Sequence, residues 1–366
     1  MQRIKILQVS WSLSSGGAER FVVDLANRLA VNPQLEIVLV TLCDDKIPGN
    51  CHYLNKVSNK VKYVNLGCHT GASLASHWRF LKFIKEEKPQ IVHGHCGIQW
   101  LYLPSLLIKN VKFVYTLHNL ASVCLLNKRL LPVDRWFYTH RIQPVTISKT
   151  CLKSYEDLFK FHNAECITNG REPMKSSNIV PDDVSFVHDK KVPVFIHVAR
   201  CHPQKNQKRL FDVFEQLQKE GVSFHLMVIG CGFEQTWMPL FKDNSQIHIL
   251  GERQNVADYM ALADYFVLTS DFEGLPLTLL EAMSMGLVPI CTPAGGIVDV
   301  IQDGVNGFIT KKIDTAEFLL KVKEAIEKSH EINREVIKDD YRKNYSMEVC
   351  AHKYYRLYMK SYGKQA

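Results

Sequence analysis

The chain has 366 residues, of which 46% are hydrophobic and 22% are charged. This length and composition predict two ordinary globular domains and exclude a low-complexity or disordered chain. The 45 Lys and Arg residues exceed the 37 Asp and Glu residues by 8, but the cations are scattered without a run of five; we therefore expect no nucleic-acid partner, whereas a polyphosphate ligand or an anionic membrane surface fits this charge.

The first half of the chain alternates apolar strand patterns with amphipathic helices. A predicted strand at 4–9 is followed by a loop that contains Gly16 and Gly17, and then by a helix at 18–29. Further strands are predicted at 35–42, 61–66, 90–95, 112–117, 144–148 and 164–168, with another helix near 74–84. This alternation is typical of a parallel sheet that helices cover on both faces.

A second alternation follows a change in composition. Residues 171–191 are rich in Pro, Ser, Asn, Asp and Lys, which is typical of a linker. Beyond them, strands are predicted at 192–198, 223–229, 246–250, 263–268 and 287–291, and helices at 206–219, 254–262 and 312–328, with a further helix that begins near Pro276 and ends at Met285. The sequence thus predicts an α/β protein of two doubly wound, Rossmann-like domains, 1–170 and 192–345, that face each other across a cleft. A C-terminal helix, about 346–366, is expected to pack back on the first domain.

A strand end, a turn and a helix start come together around Gly274. Glycine permits the backbone of a tight turn, Pro276 favours the first turn of a helix, and Gly286 is predicted to end that helix. The unpaired N–H groups at a helix start carry partial positive charge and bind anions. Glu273 and Glu281 flank this start, which predicts that they bind hydroxyl groups of a ligand whose phosphate lies between them.

Arg200 and Lys205 follow the predicted strand at 192–198. Ligands of doubly wound sheets bind beyond the carboxyl ends of the strands, so we interpret these cations as phosphate-binding groups; two solvated surface charges are the alternative. No zinc-type motif and no D-x-D occur, so no metal is expected. The G-x-G after the strand at 223–229 lacks the third glycine of a dinucleotide fingerprint, which argues against a dehydrogenase.

Three groups of residues have the order and spacing of a known family. They are Gly16-Gly17-Ala18-Glu19-Arg20, Arg200-x4-Lys205-Asn206, and Glu273-x7-Glu281 within Phe-Glu-Gly-Leu-Pro-Leu. On these motifs the chain resembles the family 4 retaining glycosyltransferases, or glycosyltransferase group 1, which have the GT-B fold. The resemblance extends from about residue 4 to residue 308.

The resemblance implies a role for each matched residue. The backbone at Gly16 and Gly17 would meet the phosphates or the sugar of the donor, and Glu281 would hold the ribose hydroxyls. Glu273 would lie near the donor sugar, and His118 would contact the transferred sugar, with a structural role as the alternative for the histidine. The other implied donor-binding residues are the diphosphate cations Arg200 and Lys205 and the turn residues Gly274, Leu275, Pro276 and Leu277.

The implied reaction is sugar transfer with retention of configuration at the anomeric carbon, without a metal or a cofactor. In the usual account the acceptor hydroxyl attacks from the face that the nucleotide leaves, and the departing phosphate oxygen takes its proton. Catalysis then consists mostly of orientation and electrostatic stabilisation. Glu273 as a nucleophile, in the manner of retaining glycosidases, is the alternative.

Two further features have no assigned chemistry. His93 and His95 are predicted to lie in the core or in the wall of the cleft. The stretch 125–138 is basic, apolar and aromatic, and we interpret it as a surface that faces the acceptor or a membrane. An ordinary helix with a packed aromatic face is the alternative.

We therefore expect a hexosyltransferase that extends a surface glycan or a lipid-linked saccharide from a nucleoside diphosphate sugar, with a UDP-sugar as the family's commonest donor. A non-catalytic nucleotide-sugar-binding or scaffold protein, and an NAD-dependent nucleotide-sugar epimerase or dehydrogenase, are the alternatives. Eleven cysteines without a C-x-x-C pair, and too few apolar residues before Ser12 for a signal peptide, predict a cytoplasmic location. Peripheral association with the inner face of the plasma membrane is also expected.

Overall fold

The protein folds into two compact units in a computed structural model, which describes residues 3–68, 73–188 and 192–363. The first unit comprises Met1–Glu172 and Tyr345–Ala366, and the second comprises Pro173–Asn344. Each unit contains one parallel sheet. Among the described helices, none is both long enough and apolar enough to cross a membrane.

The first unit is built on a seven-stranded sheet. Its strands are β1 (Ile4–Ser10), β2 (Leu35–Cys43), β3 (Lys62–Cys68), β4 (Ile91–Gly94), β5 (Lys112–Leu117), β6 (Ile142–Thr146) and β7 (Glu165–Cys166). They lie in the order β3-β2-β1-β4-β5-β6-β7, and all neighbours are parallel. The near-continuous apolar runs of β1 and β2 are buried, as expected for strands covered on both faces.

Seven helices of the first unit flank this sheet in the described part of the chain. They are α1 (Gly17–Leu29), α2 (Leu74–Glu87), α3 (Gln99–Leu107), α4 (Ala121–Cys124), α5 (Leu131–His140), α6 (Lys149–Phe159) and the C-terminal α13 (Met347–Tyr362). The C-terminal helix packs on the first unit, where the ring centroid of Tyr354 lies 6.1 Å from that of Phe21 in α1.

The second unit repeats this architecture with six strands. These are β8 (Val194–Val198), β9 (His225–Ile229), β10 (Ile247–Gly251), β11 (Tyr265–Leu268), β12 (Val288–Cys291) and β13 (Phe308–Ile309), in the order β10-β9-β8-β11-β12-β13. The helices are α7 (Gln207–Lys219), α8 (Met238–Phe241), α9 (Val256–Met260), α10 (Leu277–Met285), α11 (Thr315–Lys328) and α12 (Arg334–Asp340).

Most of the segment predicted as a linker is attached to the second unit. The hydroxyl groups of Ser176 and Ser177 donate hydrogen bonds to Asp258 at 2.8 and 2.9 Å. Asp183 forms a 2.7 Å ion pair with Arg253. Residues 189–191 of this segment lie outside the described residues.

The stretch 125–138 has a buried side and an exposed side. Phe137 and Tyr138 are buried in the core of the first unit, and the ring of Phe137 stacks on that of Tyr102 at 3.9 Å. In contrast, Leu126 is 68% exposed and Trp136 is 41% exposed. The stretch therefore has the packed aromatic face of the alternative interpretation and also an exposed apolar side; that this side faces the acceptor or a membrane stays a prediction.

Candidate active site

The order of the strands brings two site loops of the second unit together. Strands β8 and β11 are parallel neighbours although they are far apart in sequence, and the chain leaves them in different directions along the sheet. Loops beyond the carboxyl ends of such strands form the usual ligand site of doubly wound sheets. The loop after β8 carries Arg200 and Lys205, and the loop after β11 carries Glu273.

Buried Glu273 and partly buried Lys205 form an ion pair in this place. The ammonium group of Lys205 donates to Oε1 of Glu273 at 2.6 Å. The hydroxyl of Ser270 donates to the same oxygen at 2.6 Å, whereas among the described residues Oε2 accepts one longer contact, of 3.3 Å, from the amide of Gln204. Glu273 is only 5% exposed. Its Oε2 is therefore the carboxylate oxygen with more capacity to accept a further hydrogen bond.

A glycine pair fixes the backbone that carries Glu273. Gly295 has φ +57°, and a Cβ atom there would lie 1.7 Å from the carbonyl oxygen of Glu273. The next residue, Gly296, donates its N–H to the carbonyl oxygen of Gly274 at 2.7 Å. Only glycine satisfies both the left-handed backbone and this close approach.

The loop of Lys205 is held by polar contacts that converge on Asp271. Asn206 adopts the left-handed conformation at φ 47°, which asparagine tolerates better than most residues, and its side chain caps α7. The amide of Asn206 donates to Asp271 at 3.1 Å, and the guanidinium of Arg209 donates to the same carboxylate at 2.8 Å. Asp271 thus binds the two loops to each other.

Arg200 presents its charge to solvent. Its carbonyl oxygen accepts a hydrogen bond from Gln207 at 2.8 Å, which fixes the backbone at this position. The side chain is exposed and makes no hydrogen bond or ion pair with any residue in the described ranges. Gly230 shapes the adjoining loop, because a Cβ atom there would lie 1.9 Å from the carbonyl oxygen of Ala199.

Helix α10 begins without a side-chain cap. Its N-cap is Pro276, whose apolar side chain makes no capping hydrogen bond to the N–H groups of the first turn. The predicted end at Met285 is confirmed, and Gly286 follows with φ 78°. Glu281 is buried one turn into the helix. The buried turn residues Leu275 and Leu277 flank Pro276.

In the first unit, Gly16 and Gly17 lie at the start of α1. Gly16 is the N-cap, and a Cβ atom on it would lie 2.1 Å from Oε2 of Glu19. No atom lies within 4 Å of a Cβ atom built on Gly17. A ligand can therefore approach the backbone closely at Gly17, whereas the carboxylate of Glu19 covers Gly16.

His118 follows β5 and is half-buried. Its Nε2 lies 3.1 Å from Nδ1 of His95, and its ring meets the edge of Phe21 at a centroid distance of 5.3 Å. Burial lowers the pKa of His118 to about 3, so the ring is neutral at physiological pH. His93 and His95 are buried in the first unit, which fits the core among the two places, core or cleft wall, that the sequence left open.

The structure adds site residues that the motifs do not include. Ser270 and Gln204 contact the carboxylate of Glu273, and Gly295 contacts its backbone. The sequence contains only weak indications of these residues: Ser270 lies three residues before Glu273, and Gly295 belongs to a glycine pair after a strand. Neither signal indicates which carboxylate these residues contact, because the contacts depend on the fold.

Buried His197 is expected to make the second unit less stable in acid. Its Nδ1 donates to the carbonyl oxygen of Val267 at 2.9 Å, and its buried Nε2 has no hydrogen-bond partner among the described residues. Burial lowers the pKa of His197 from 6.5 to about 4. As the pH falls, His197 is therefore protonated in the unfolded chain before it is protonated in the folded protein. The contribution of neutral His197 to the free energy of unfolding is complete above pH 6.5 and is lost as the pH falls towards 4. We expect a loss of about 2 kcal/mol in the free energy of unfolding between pH 7.5 and pH 5.

Urea unfolding of the wild type and of His197→Leu at these two pH values measures this contribution. Leucine is apolar and cannot bind a proton, so the pH dependence should shrink by about 2 kcal/mol in the variant. An identical pH dependence in the two proteins would contradict the assignment to His197.

Two family models match the chain, one in each half. Glycosyltransferase Family 4 matches residues 15–173, and Glycosyl transferases group 1 matches residues 181–343. These two ranges contain the Gly16 and His118 region and the Lys205 and Glu273 region, respectively.

Individual relatives agree with the family models. N-acetyl-alpha-D-glucosaminyl L-malate synthase of Bacillus anthracis is 31% identical over 295 residues, which cover 74% of this chain and 75% of the relative. A glycosyltransferase from Rickettsia africae ESF-5 has a similar fold, with a TM-score of 0.80 at 16% identity over 99% of both chains. Anabaena HepE in complex with UDP has a TM-score of 0.78 at 17% identity over 98% of this chain and 100% of its own. The chain is thus a glycosyltransferase with the GT-B fold and belongs to glycosyltransferase family 4.

Proposed function

We propose that this protein is a retaining, metal-independent hexosyltransferase that transfers a sugar from a UDP-sugar to a surface-glycan or lipid-linked saccharide acceptor. The observation that carries the proposal is the ion pair of partly buried Lys205 with buried Glu273, since Glu273 lies shortly before Pro276, the N-cap of α10. When a sugar leaves a diphosphate, negative charge develops on the phosphate and positive charge on the anomeric carbon. The cation and the helix start suit the negative charge, and the carboxylate suits the positive charge.

The diphosphate is proposed to bind Lys205, Arg200 and the start of α10. Lys205 uses one of its three ammonium hydrogens for Glu273, which leaves two for phosphate oxygens. Arg200 brings a second, solvent-exposed cation from the same loop. The first-turn N–H groups, including that of Leu277, contribute the partial positive charge of a helix start.

The nucleoside is proposed to be held by Glu281. A carboxylate accepts hydrogen bonds from two adjacent hydroxyls, which a ribose offers. Glu281 lies one turn from the helix start, so a ligand whose phosphate meets that start can reach it with its ribose. The choice of uridine is supported by the fold neighbour from Anabaena, whose structure is a complex with UDP.

In the proposed reaction the bond between the anomeric carbon and the phosphate oxygen breaks, and a bond to the acceptor oxygen forms on the same face. The proton of the acceptor hydroxyl passes to the departing phosphate oxygen. Lys205 and Arg200 stabilise the charge that develops on the diphosphate. Glu273 stabilises positive charge at the anomeric carbon, and its ion pair with Lys205 stabilises the carboxylate charge, which makes the carboxylate a poorer nucleophile.

The first unit is proposed to contact the donor through Gly17 and His118. The backbone at Gly17 is open to a ligand, and the nearby carboxylate of Glu19 favours sugar hydroxyls over phosphate at this place. His118 is neutral at physiological pH and is able to hydrogen bond to the transferred sugar.

Turnover by the purified chain tests the proposal. With a UDP-sugar and a lipid-linked saccharide we expect release of UDP and a product whose anomeric configuration, measured by NMR, equals that of the donor, with the rate unchanged by a chelator. Binding of the donor without hydrolysis or transfer would instead indicate a non-catalytic nucleotide-sugar-binding protein. Absorbance from bound NAD with conversion of the sugar would indicate an epimerase or dehydrogenase.

We also propose that the exposed side of 125–138 touches an anionic membrane, which would place the cytoplasmic enzyme on the inner face of the plasma membrane. Lys128 and Arg129 are exposed, and so are the apolar side chains of Leu126 and Trp136 in the same stretch. Basic and apolar groups on one surface bind anionic bilayers together, and each cation near the surface contributes about 1 kcal/mol.

Flotation with vesicles tests this surface. Wild type should float with vesicles that contain an anionic lipid, and Lys128→Ala/Arg129→Ala should bind them about 30-fold more weakly, since two cations of about 1 kcal/mol each are removed. The matched control, Lys311→Ala/Lys312→Ala, removes the same charge from another exposed site and should behave as wild type. Equal flotation of the two double variants would contradict the assignment.

A further inference from the structure

A continuous chain of hydrogen bonds runs through the core of the first unit and ends at His118. It joins, in this order, Thr116 Oγ1 to His93 Nε2 (2.8 Å), His93 Nδ1 to the Tyr358 hydroxyl (2.6 Å), that hydroxyl to Gln8 Nε2 (2.9 Å), Gln8 Oε1 to His95 Nε2 (2.7 Å), and His95 Nδ1 to His118 Nε2 (3.1 Å). All members except His118 are buried. Because water does not reach these groups, each must satisfy its hydrogen bonds within the chain.

Gln8 is the member with a fixed polarity. Its amide nitrogen only donates and its amide oxygen only accepts, whereas a hydroxyl does both and either ring nitrogen of a histidine does one or the other. The amide nitrogen donates to Tyr358, a residue of the C-terminal helix α13. The amide oxygen therefore faces His95 and accepts a hydrogen bond from its Nε2.

This arrangement determines the tautomer of His95. Burial lowers the pKa of His95 well below its ordinary value, so the ring is neutral and carries one N–H group. That hydrogen is on Nε2, because Nε2 donates to Gln8. The other nitrogen, Nδ1, is then a lone pair that accepts a hydrogen bond.

The tautomer of His118 follows from that of His95. Since Nδ1 of His95 is an acceptor, Nε2 of His118 must carry the hydrogen of the bond between them. His118 is also neutral, which leaves its Nδ1 with a lone pair. No hydrogen bond from a residue in the described ranges reaches this Nδ1, so it is available to a ligand.

We propose that Gln8 is a positioning residue that acts through His95 to hold His118 in the Nε2–H tautomer, so that Nδ1 of His118 accepts a hydrogen bond from a hydroxyl of the sugar. The inference rests on the proposed function, in which His118 contacts the transferred sugar. An acceptor at this place selects a sugar with a hydroxyl group there. It disfavours a carboxylate or another group that only accepts hydrogen bonds.

The chain of hydrogen bonds has one alternative polarity, which predicts that Nδ1 of His118 donates instead of accepting. A half-turn of the Gln8 amide would reverse the bond to His95, place a hydrogen on Nδ1 of His95 and make Nε2 of His118 an acceptor. Nδ1 of neutral His118 would then donate. In the observed orientation the Tyr358 hydroxyl accepts from the Gln8 amide and can donate its own hydrogen to His93, whereas in the reversed state it would donate to Gln8 and accept from His93.

The tautomer is measured by long-range proton–nitrogen NMR of protein labelled with ¹⁵N-histidine, in which His118 is assigned by its absence from His118→Asn. We expect His118 to carry hydrogen on Nε2 in the wild type, and a mixture of tautomers in Gln8→Met and in Tyr358→Phe. Hydrogen on Nδ1 of His118 in the wild type would overturn the proposal, as would an unchanged tautomer in both variants. This readout needs no activity, so absence of sugar transfer would refute the proposed function and leave the tautomer result to be judged separately.

A double-mutant cycle then separates positioning from a structural role. Gln8→Met should lower kcat/KM about tenfold in the wild-type background, the upper range for one hydrogen bond. In His118→Asn the amide keeps a polar group near the position of Nδ1 but has no group at the position of Nε2, so Gln8→Met should have no further effect in that background. Equal losses in both backgrounds, with melting temperatures recorded for each variant, would overturn the proposal.

Discussion

Glu273→Gln is expected to lower kcat by about 10²- to 10³-fold while the Kd of the nucleoside diphosphate changes less than about threefold. The amide has the shape of the carboxylate but lacks the charge that stabilises positive charge at the anomeric carbon. Lys205 loses its anionic partner in the variant, and its ammonium remains available to the diphosphate. Calorimetric titration measures the Kd of the nucleoside diphosphate, and initial rates measure kcat.

Glu215→Gln is the matched control for this prediction. Glu215 is exposed on α7 in the same unit, so its replacement makes the same chemical change away from the site. It should leave both kcat and Kd at wild-type values. An unchanged kcat in Glu273→Gln would sink the proposed role of Glu273.

Mass spectrometry distinguishes the two roles considered for Glu273. A nucleophile would form a covalent sugar ester at Glu273 when donor is present and acceptor is absent. Because the ion pair with Lys205 stabilises the charge of the Glu273 carboxylate and lowers its nucleophilicity, we expect no such adduct on the wild-type protein. An adduct mapped to Glu273 would establish the nucleophile instead.

Lys205→Ala is expected to weaken binding of a nucleoside diphosphate by about 10- to 100-fold, and binding of the free nucleoside by less than about threefold. Charge-assisted hydrogen bonds contribute about 1.5 to 3 kcal/mol, and the nucleoside lacks the phosphates that receive them. Titration of UDP and of uridine gives the two ratios. Equal losses for UDP and uridine would show that Lys205 does not act through phosphate.

Two further variants make this comparison specific. Lys208→Ala removes an exposed ammonium that pairs with Asp212 at 2.7 Å, and it should bind both ligands as the wild type does. Glu281→Ala should weaken the binding of UDP and of uridine to the same extent, because both ligands contain the ribose. The melting temperature of Lys205→Ala is measured as well, because removal of the cation leaves Glu273 buried without its ion pair and is expected to lower the stability.

Local sequence patterns predicted individual elements well where those patterns are strong. The β5 strand has the predicted limits, Lys112–Leu117, and α10 ends at Met285 as its glycine indicated. Where no distinct turn residue marks a strand end, the predicted and observed ends differ by one or two positions. Strand β8, for example, begins at Val194 and not at 192. Hydrogen bonding between strands decides such ends, and periodicity does not record it.

Contacts between distant residues were beyond the sequence patterns. The motifs identified Lys205 and Glu273 separately, but their 2.6 Å contact results from the pairing of β8 with β11. Likewise, Gln8 and Tyr358 are 350 positions apart and meet only because α13 packs on the first unit. Neither residue has a local feature that indicates the contact, because a glutamine in a strand and a tyrosine in a helix are common.

The most direct test of the central claim is the melting temperature of the purified chain in the presence of UDP-, GDP- and ADP-sugars. A ligand that binds only the folded protein stabilises it by about 2.7 kcal/mol at 100 times its Kd. We predict that a UDP-sugar raises the melting temperature by several degrees and that the rise is reduced in Lys205→Ala. If none of the nucleoside diphosphate sugars raised the melting temperature of the wild type, the account would be contradicted.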